Sequence, residues 1–542
     1  MNISKLRFFL IIVFVLSFLQ AKFTPLVDDE AYYWLWSKKL AFGYFDHPPM
    51  IAWLIAIGKI FFSDELSVRL FTVILQTISA FLFWKITNPK TEFQKYLVFV
   101  LFSGAVMLQV FGFIATPDSP LLFFTFFYLF CLQKFYNQLS KYVFVVLGVA
   151  IAGLMYSKYH GLLVILFTLL PNLIYFLKRK DFYLSVLIAL ILYSPHFVWL
   201  YDHDFVTLNY HLVERNQTTF KLNHFLILIL GGFTLGTLGL SFLFWRKFFR
   251  FHSKDLFDRS IYYLSFLPIL FFVLMSFKNQ PQIQWLLIAF VAQIILFYKF
   301  YQDTNSSQII RIGLFNIFLI LVARLIIVFP QTSFLYNNKV AAKNLGQNIN
   351  DSVVVFEKYQ EASLFSFYNH QEAIVFRTLG NRKSQFDLWK TDRKLTHQNF
   401  VYVTKWAKTN DSILGWKNDY YFINKMNAIN IEDDFWFDFE ENELLVENDE
   451  EIKIKVNYKN PTNSLSSEKT KIFLIETQDY QYNIVNQIEI SKDNFKQTKN
   501  KEIKEFVINY QVNKECKLYI GVKLSDMPIR YYSNGLLIEL IY

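Results

Sequence analysis

Charge is scarce in this chain. Only 18% of its 542 residues are Asp, Glu, Lys or Arg, below the roughly 25% usual for a soluble globular domain, which argues against a water-soluble protein of this length. Cysteine is scarcer still. Cys131 lies in an apolar run and Cys516 in the polar tail; the two are expected in different phases, so neither a disulfide framework nor a redox compartment is read from them. Tandem repeats are absent. The formal net charge of +10 is dispersed in short clusters between apolar runs, which is a membrane-topology pattern and excludes nucleic acid as the expected partner. The N-terminus has Lys5 and Arg7 before the apolar Phe8–Leu19, but no A-x-A-like cleavage site follows. It is expected to be a retained first span rather than a removed signal.

Apolar and aromatic residues dominate instead. Hydrophobic residues make up 54% of the chain, with 62 Phe and 32 Tyr, and mean hydropathy is +0.27. Apolar runs recur at 6–22, 66–86, 96–114, 120–136, 142–157, 160–177, 182–201, 223–245, 260–277, 284–300 and 311–330. A helix needs about 20 apolar residues to cross the hydrocarbon core, and a tilted or broken one can differ. The spacing therefore predicts a polytopic α-helical membrane protein of about eleven transmembrane helices.

Basic residues orient these spans. With the N-terminus inside, Lys5/Arg7, Lys85/Lys90/Lys95, Lys134/Lys141, Lys178/Arg179/Lys180, Arg246/Lys247/Arg250/Lys254/Arg259 and Lys299/Arg311 all fall on the cytoplasmic side, as the positive-inside rule requires. The unusual polar segments then share the outer face: Asp28–Pro49, Thr116–Ser119, Ser157–His160, Asp202–Lys221 and Lys278–Gln284. Working chemistry is expected there.

After Pro330 the composition turns polar. Residues 331–425 are expected to form a small extracytoplasmic α/β domain, built on Val353–Phe356, a helix over Glu361–Tyr368 and Ala373–Phe376. Residues 426–542 read as β-rich, a small β-sandwich. There Ile452, Ile454, Val456 and Tyr458 alternate with Lys453, Lys455 and Asn457, the period of a half-buried strand.

The most specific stretch is Val27-Asp28-Asp29-Glu30-Ala31-Tyr32-Tyr33-Trp34-Leu35-Trp36, followed by Gly43-Tyr44-Phe45-Asp46-His47-Pro48-Pro49. Three acids at the end of a span are costly unless they face water or a polar cavity. A solvated loop with an interfacial aromatic belt would also explain them. Asp46, His47, Asp202, His203, Asp204 and His211 show no recognised metal-ligand spacing, so no metal is expected.

Asp29–Trp34, Gly43–Pro49 and Ser67-Val68-Arg69-Leu70 resemble the polyprenyl-phosphate-sugar-dependent glycosyltransferases of the GT-C fold. That group includes protein O-mannosyltransferases and the aminoarabinose transferases that modify lipid A. The resemblance continues through Thr116–Leu121, Gly153-Leu154 with Ser157-Lys158-Tyr159, and Ser194-Pro195-His196 with Trp199. In the tail it includes Tyr359-Gln360, Ala362-Ser363, Phe367-Tyr368 and Ser384–Asp387 with Trp389. It covers about residues 1–390 and implies a GT-C-like unit over residues 1–330.

The resemblance implies sugar transfer from a polyprenyl phosphate, such as undecaprenyl phosphate, to an extracytoplasmic lipid, glycan or protein. The expected course is direct displacement, inverting in preference to retaining, without nucleotide, cofactor or required metal. Asp29 matches the family's catalytic aspartate and would act as general base. Glu30 would support it, and Asp118 matches a second acidic position. Asp118 or Ser119 before Pro120 would equally suit a helix N-cap. Lys158 and Arg69 are candidates for the leaving phosphate, although a snorkelling lysine explains Lys158 as well. Many relatives carry Lys before Pro-Pro where this chain has His47, ordinarily neutral at pH 7. Tyr32 and Trp199 are candidates for contact with the sugar or the lipid. A transporter or flippase of lipid-linked sugars is the competing class, but it should hold ionisable residues near mid-membrane. A receptor or scaffold would leave the Asp-Glu loop without a purpose.

Overall fold

A computed structural model describes residues 3–138, 142–212, 222–234, 238–252, 255–277, 280–330, 333–349, 353–376, 382–405, 412–414, 420–429, 436–459, 470–478, 483–491, 504–524, 527–533 and 535–541. Lys141 and Lys254, used above to orient the chain, and Lys221 and Lys278, which bound two of the outer segments, lie outside the described residues. The chain divides into two compact units, residues 1–210 with 220–339 and residues 211–219 with 340–542.

Unit one is helical, and each of the eleven apolar runs is helix over most of its length. Among the described residues, six helices are long and apolar enough to cross a membrane: Ser4–Phe23, Glu65–Thr87, Lys180–Asp202, Leu256–Met275, Ile283–Tyr301 and Ser307–Val328. This is a multi-pass membrane protein. The remaining runs are shorter or interrupted. The 96–114 run breaks between Glu92–Ser103 and Val106–Val110, and the 160–177 run passes through a 3-10 turn at Leu170–Asn172, where Pro171 cannot donate to the helix ladder.

The helices used below are α1 (Ile3–Phe23), α2 (Asp28–Trp36), α3 (Met50–Gly58), α4 (Glu65–Thr87), α5 (Asp118–Tyr136), α6 (Val143–Ser157), α7 (Lys180–Asp202), α8 (Ser241–Phe248), α9 (Leu256–Met275), α10 (Leu287–Tyr301), α11 (Ser307–Val328) and α12 (Tyr359–Asn369). Every residue of α10 except Lys299 is buried, so this apolar helix is the centre of the bundle. α11 instead exposes Leu314, Phe315, Phe318, Leu325 and Ile326, a lipid-facing stripe.

The first connection, expected as an ordered loop, contains two short helices, α2 and α3. Three acids in the first turn of α2 suit the positive end of its dipole. The Pro48-Pro49 pair precedes α3, with Pro49 at its N-cap.

Unit two begins with a five-stranded sheet in the order β2-β1-β3-β5-β4. Its strands are β1 (Val353–Phe356), β2 (Ala373–Val375), β3 (Phe400–Thr404), β4 (Ser412–Leu414) and β5 (Tyr420–Met426). β1 pairs in parallel with β2 and β3, and α12 crosses over from β1 to β2. Further strands are β6 (Trp436–Phe439), β7 (Glu443–Val446), β8 (Glu451–Lys459), β9 (Thr470–Gln478), β10 (Asn483–Ile490), β11 (Lys504–Gln511), β12 (Cys516–Leu524), β13 (Arg530–Tyr531) and β14 (Leu536–Leu540). They form two sheets, one ordered β10-β9-β12-β14-β7 and one β11-β8-β6. The two sheets share one core that includes Ile454, Val456, Leu474, Phe506 and Leu518. In β8, Ile454, Val456 and Tyr458 point inward while Lys453 and Lys455 are exposed, as the alternation predicts.

Candidate active site

Glu30 and Arg69 are both fully buried. Arg69 Nε donates to Glu30 Oε1 at 2.7 Å, and its Nη2 donates to Oε2. The other Arg69 N–H groups reach the carbonyls of Ala21 (3.1 Å), Thr24 and Pro25 (3.0 Å). The carboxylate is equally engaged: Oε1 also accepts from Ala115 N at 2.7 Å and Oε2 from Val27 N at 2.9 Å. This pair clamps the end of α1, the start of α2, α4 and the turn before α5 together. It corrects the expectation that Arg69 receives a phosphate, because all five of its N–H groups are directed inward. Both oxygens of Glu30 are likewise taken up by Arg69 and the two backbone amides.

Asp118 and Lys158, 40 residues apart, form a second buried pair. Lys158 Nζ donates to both Asp118 oxygens at 2.8 Å, and each residue is 5% exposed. Asp118 is the first residue of α5, with Pro117 at the N-cap and no side-chain cap. Its carboxylate is therefore directed at the lysine and does not cap the helix. Lys158 follows the last residue of α6 in extended backbone, which turns its side chain inward, so it does not snorkel.

Asp29, next to Glu30 on α2, is only half-buried. Glu30 fastens its helix to Ala115, three residues before Asp118. Asp29 and the Asp118–Lys158 pair consequently stand at the same end of the bundle.

The Gly43–Pro49 turn is docked by aromatic packing. Tyr44 stacks on Trp36 at 4.4 Å between ring centroids, and its hydroxyl donates to the carbonyls of Trp36 and Lys39. Gly43 lies directly on the Trp199 ring: a Cβ there would sit 2.2 Å from Trp199 Cε3. Trp199 also stacks on His203 at 4.3 Å. This indole fastens the turn to α7 and is not an open stacking platform. Tyr32 is buried beside Tyr33 and Trp36, so its ring packs within the loop. His47 is half-buried, with its ring 6.3 Å from that of Tyr33.

The sequence reasoning left two features of this end unassigned. His196 joins Tyr159 and the loop, with Nε2 3.0 Å from Tyr159 Oη and Nδ1 2.6 Å from the Phe42 carbonyl oxygen. It lies in the Ser194-Pro195-His196 motif, in which nothing local shows that it reaches Phe42. Arg324 is a buried arginine on α11 whose guanidinium donates to Leu16 O and to the carbonyl and side-chain oxygens of Gln109. A charge inside an apolar run was the signal that marked it. Among the described residues, no group of three or more His, Cys, Asp or Glu is placed to hold a metal ion.

This arrangement can be set beside known proteins. The crystal structure of ArnT from Cupriavidus metallidurans in the apo state aligns with a TM-score of 0.52 at 13% identity, over 73% of this chain and 92% of that one. The structure of the same protein bound to undecaprenyl phosphate aligns with a TM-score of 0.55 at 12% identity, over 78% and 98%. This is the GT-C fold. Residues 46–199 of this GT-C chain match the family model for dolichyl-phosphate-mannose-protein mannosyltransferases. A curated relative, the lipid A galacturonosyltransferase RgtD of Rhizobium johnstonii, is 25% identical over 287 residues, half of this chain. The match spans 60% of that relative's length.

Proposed function

We propose that this GT-C protein transfers a sugar from a polyprenyl phosphate to an acceptor on the outer face of the membrane, with Asp29 as general base. The observation that carries the reading is the division of labour on α2. Glu30 is fully buried and engaged by Arg69 and two backbone amides, whereas Asp29, one residue earlier, is only half-buried at the same end of the bundle as a fixed lysine. In this reading Asp29 takes the proton from the acceptor hydroxyl. The acceptor oxygen then bonds to the anomeric carbon as the carbon–oxygen bond to the phosphate breaks, and the lipid phosphate leaves with the electron pair.

Asp118 holds the Lys158 ammonium with two of its hydrogens. The third is the donor proposed for the leaving phosphate, whose charge grows in the transition state. His47, in the docked turn, is the second proposed phosphate contact. Undecaprenyl phosphate bound to the GT-C neighbour supports the donor class, and the lipid A transferase relative supports a glycolipid acceptor. We extend the reading to eleven crossings, with the polar region that follows them, read as domains over residues 331–425 and 426–542, outside the cytoplasm.

The test is release of polyprenyl phosphate from defined undecaprenyl-phosphate sugars by detergent-purified protein. Wild type should release it when an acceptor is present, and Asp29→Asn should be slower by roughly 10²-fold or more while still binding donor. Release by the variant at the wild-type rate would remove Asp29 from the reaction. Movement of intact donor across proteoliposomes without cleavage would make the protein a flippase.

A further inference from the structure

The opposite end of the bundle carries a built basic pocket that the proposed chemistry does not use. α4 runs from Glu65, beside the Glu30–Arg69 clamp, to Thr87. Just beyond it, the Gln94 amide meets Asp303, two residues past the end of α10. The C-terminus of α10 and the residues around it therefore face away from the acidic loop. There an open pocket of about 600 Å³ lies between α8 and α10, floored by Phe300 and Tyr301 and ringed by Arg246, Lys247, Arg250 and Lys299.

The four cations differ in how they are held. Lys247 Nζ donates to the Phe300 carbonyl at 2.6 Å and lies 4.4 Å from the centroid of the Tyr301 ring. Lys299 pairs with Asp258. Neither guanidinium, Arg246 or Arg250, has an acceptor among the described residues. The nearby carboxylates are directed elsewhere: Asp255 caps α9 through Phe257 N and Asp258 N, and Asp303 takes the Gln94 amide. Two fixed ammonium groups and two unneutralised guanidiniums thus surround one cavity. Topology alone requires basic residues near this end, but not their convergence on a cavity.

The neighbouring surface separates a lipid from a soluble anion. Phe242 and Phe249 are 75% and 66% exposed, and with Arg246 and Arg250 they share one face of α8 and the turn that follows it by helical spacing. Rings that enter the acyl region beside guanidiniums at headgroup depth are the arrangement of an interfacial helix. Basic pockets between helix ends bind anionic headgroups for the same reason. We propose that this pocket binds the phosphate of an anionic phospholipid from the leaflet at that end of the bundle.

The full chain should be tested in nanodiscs of phosphatidylcholine with and without phosphatidylglycerol, reading retained lipid by native mass spectrometry and Tm by thermal unfolding. Wild type should retain phosphatidylglycerol and gain Tm from it. Arg246→Gln with Arg250→Gln should bind it roughly tenfold to thirtyfold more weakly, the effect of removing two surface cations. Arg246→Lys with Arg250→Lys preserves the charge that sets topology and should lose only part of the retention. Lys178→Gln with Lys180→Gln removes two exposed charges outside the pocket and should retain lipid as wild type does. Equal retention by the Arg246/Arg250 glutamine variant, or equal loss in the lysine control, would overturn the proposal. So would an equal, Arg246- and Arg250-dependent Tm gain from inorganic phosphate alone, which would make this a site for free anions.

Discussion

At the scale of single residues, two adjacent acids of α2 have different environments. The sequence marks Asp29 and Glu30 together but cannot tell which one is buried, because the deciding partner, Arg69, is 39 positions away. The Asp118–Lys158 pair was hidden for the same reason: both residues were singled out, but nothing local shows that they meet. The difference predicts opposite phenotypes. Glu30→Gln leaves a fully buried guanidinium without its counter-charge, which costs about 3–5 kcal/mol. It should lower Tm sharply and reduce the amount of folded protein. Asp29→Asn alters a half-exposed group and should leave Tm within a few degrees while slowing turnover by roughly 10²-fold or more. Thermal unfolding of the two purified variants compares them directly, and similar losses of Tm would contradict the assignment. Lys158→Met should weaken use of the lipid-phosphate donor and also strand Asp118. Adding Asp118→Asn should therefore restore Tm without restoring activity, whereas recovery of both would leave the pair a purely structural role.

At the scale of elements, the apolar runs were legible because a membrane helix is specified by local hydropathy alone. The strand alternation at Ile452–Tyr458 was legible on the same principle. The helices of the first connection were not, since α2 and α3 are nine residues each and are held by tertiary packing rather than by a periodic stripe. The Gly43 contact belongs with these. A Cβ 2.2 Å from the Trp199 ring cannot be accommodated without moving the turn, so Gly43→Ala should lower both activity and Tm. Trp199→Leu added to Gly43→Ala should recover part of the Tm by opening that space. No recovery would mean that the glycine is needed for some reason other than this approach.

In unit two, burial raises the pKa of the Glu361 carboxyl above its usual value despite a hydrogen bond from Tyr421. A raised folded-state pKa favours the protonated form, so the stabilisation is present at low pH and is lost as pH rises through that pKa. Glu361→Gln should therefore slow hydrogen exchange across β1 and α12 at neutral pH and have little effect near pH 4. An equal effect at both pH values would contradict a titration origin.

At the scale of the whole molecule, a helical membrane unit is joined to a sheet-built unit where the composition turns polar. The position of that change was readable at Pro330, and the compact units divide at residues 339 and 340. The offset arises because the start of Phe334–Gln347 is attached to unit one: Asn338 reaches Asp28 and Lys339 pairs with Glu65 at 2.6 Å. Composition does not encode those contacts. The charge bias of the connections predicts which membrane face each end occupies. Lys39 and His397 are exposed and should lie outside, while Gln308, exposed at the start of α11, should lie inside. Both native cysteines are buried, so single cysteines at 39, 308 and 397 can be read against a quiet background. In intact spheroplasts an impermeant maleimide should label Lys39→Cys and His397→Cys at once, and Gln308→Cys only after the membrane is opened. The reverse pattern would place Asp29 on the cytoplasmic face, where an acceptor outside the cell could not reach it. Labelling of position 39 without 397 would retain the proposed chemistry and move unit two to the other side. That outcome would require an odd number of crossings between the first connection and the polar tail.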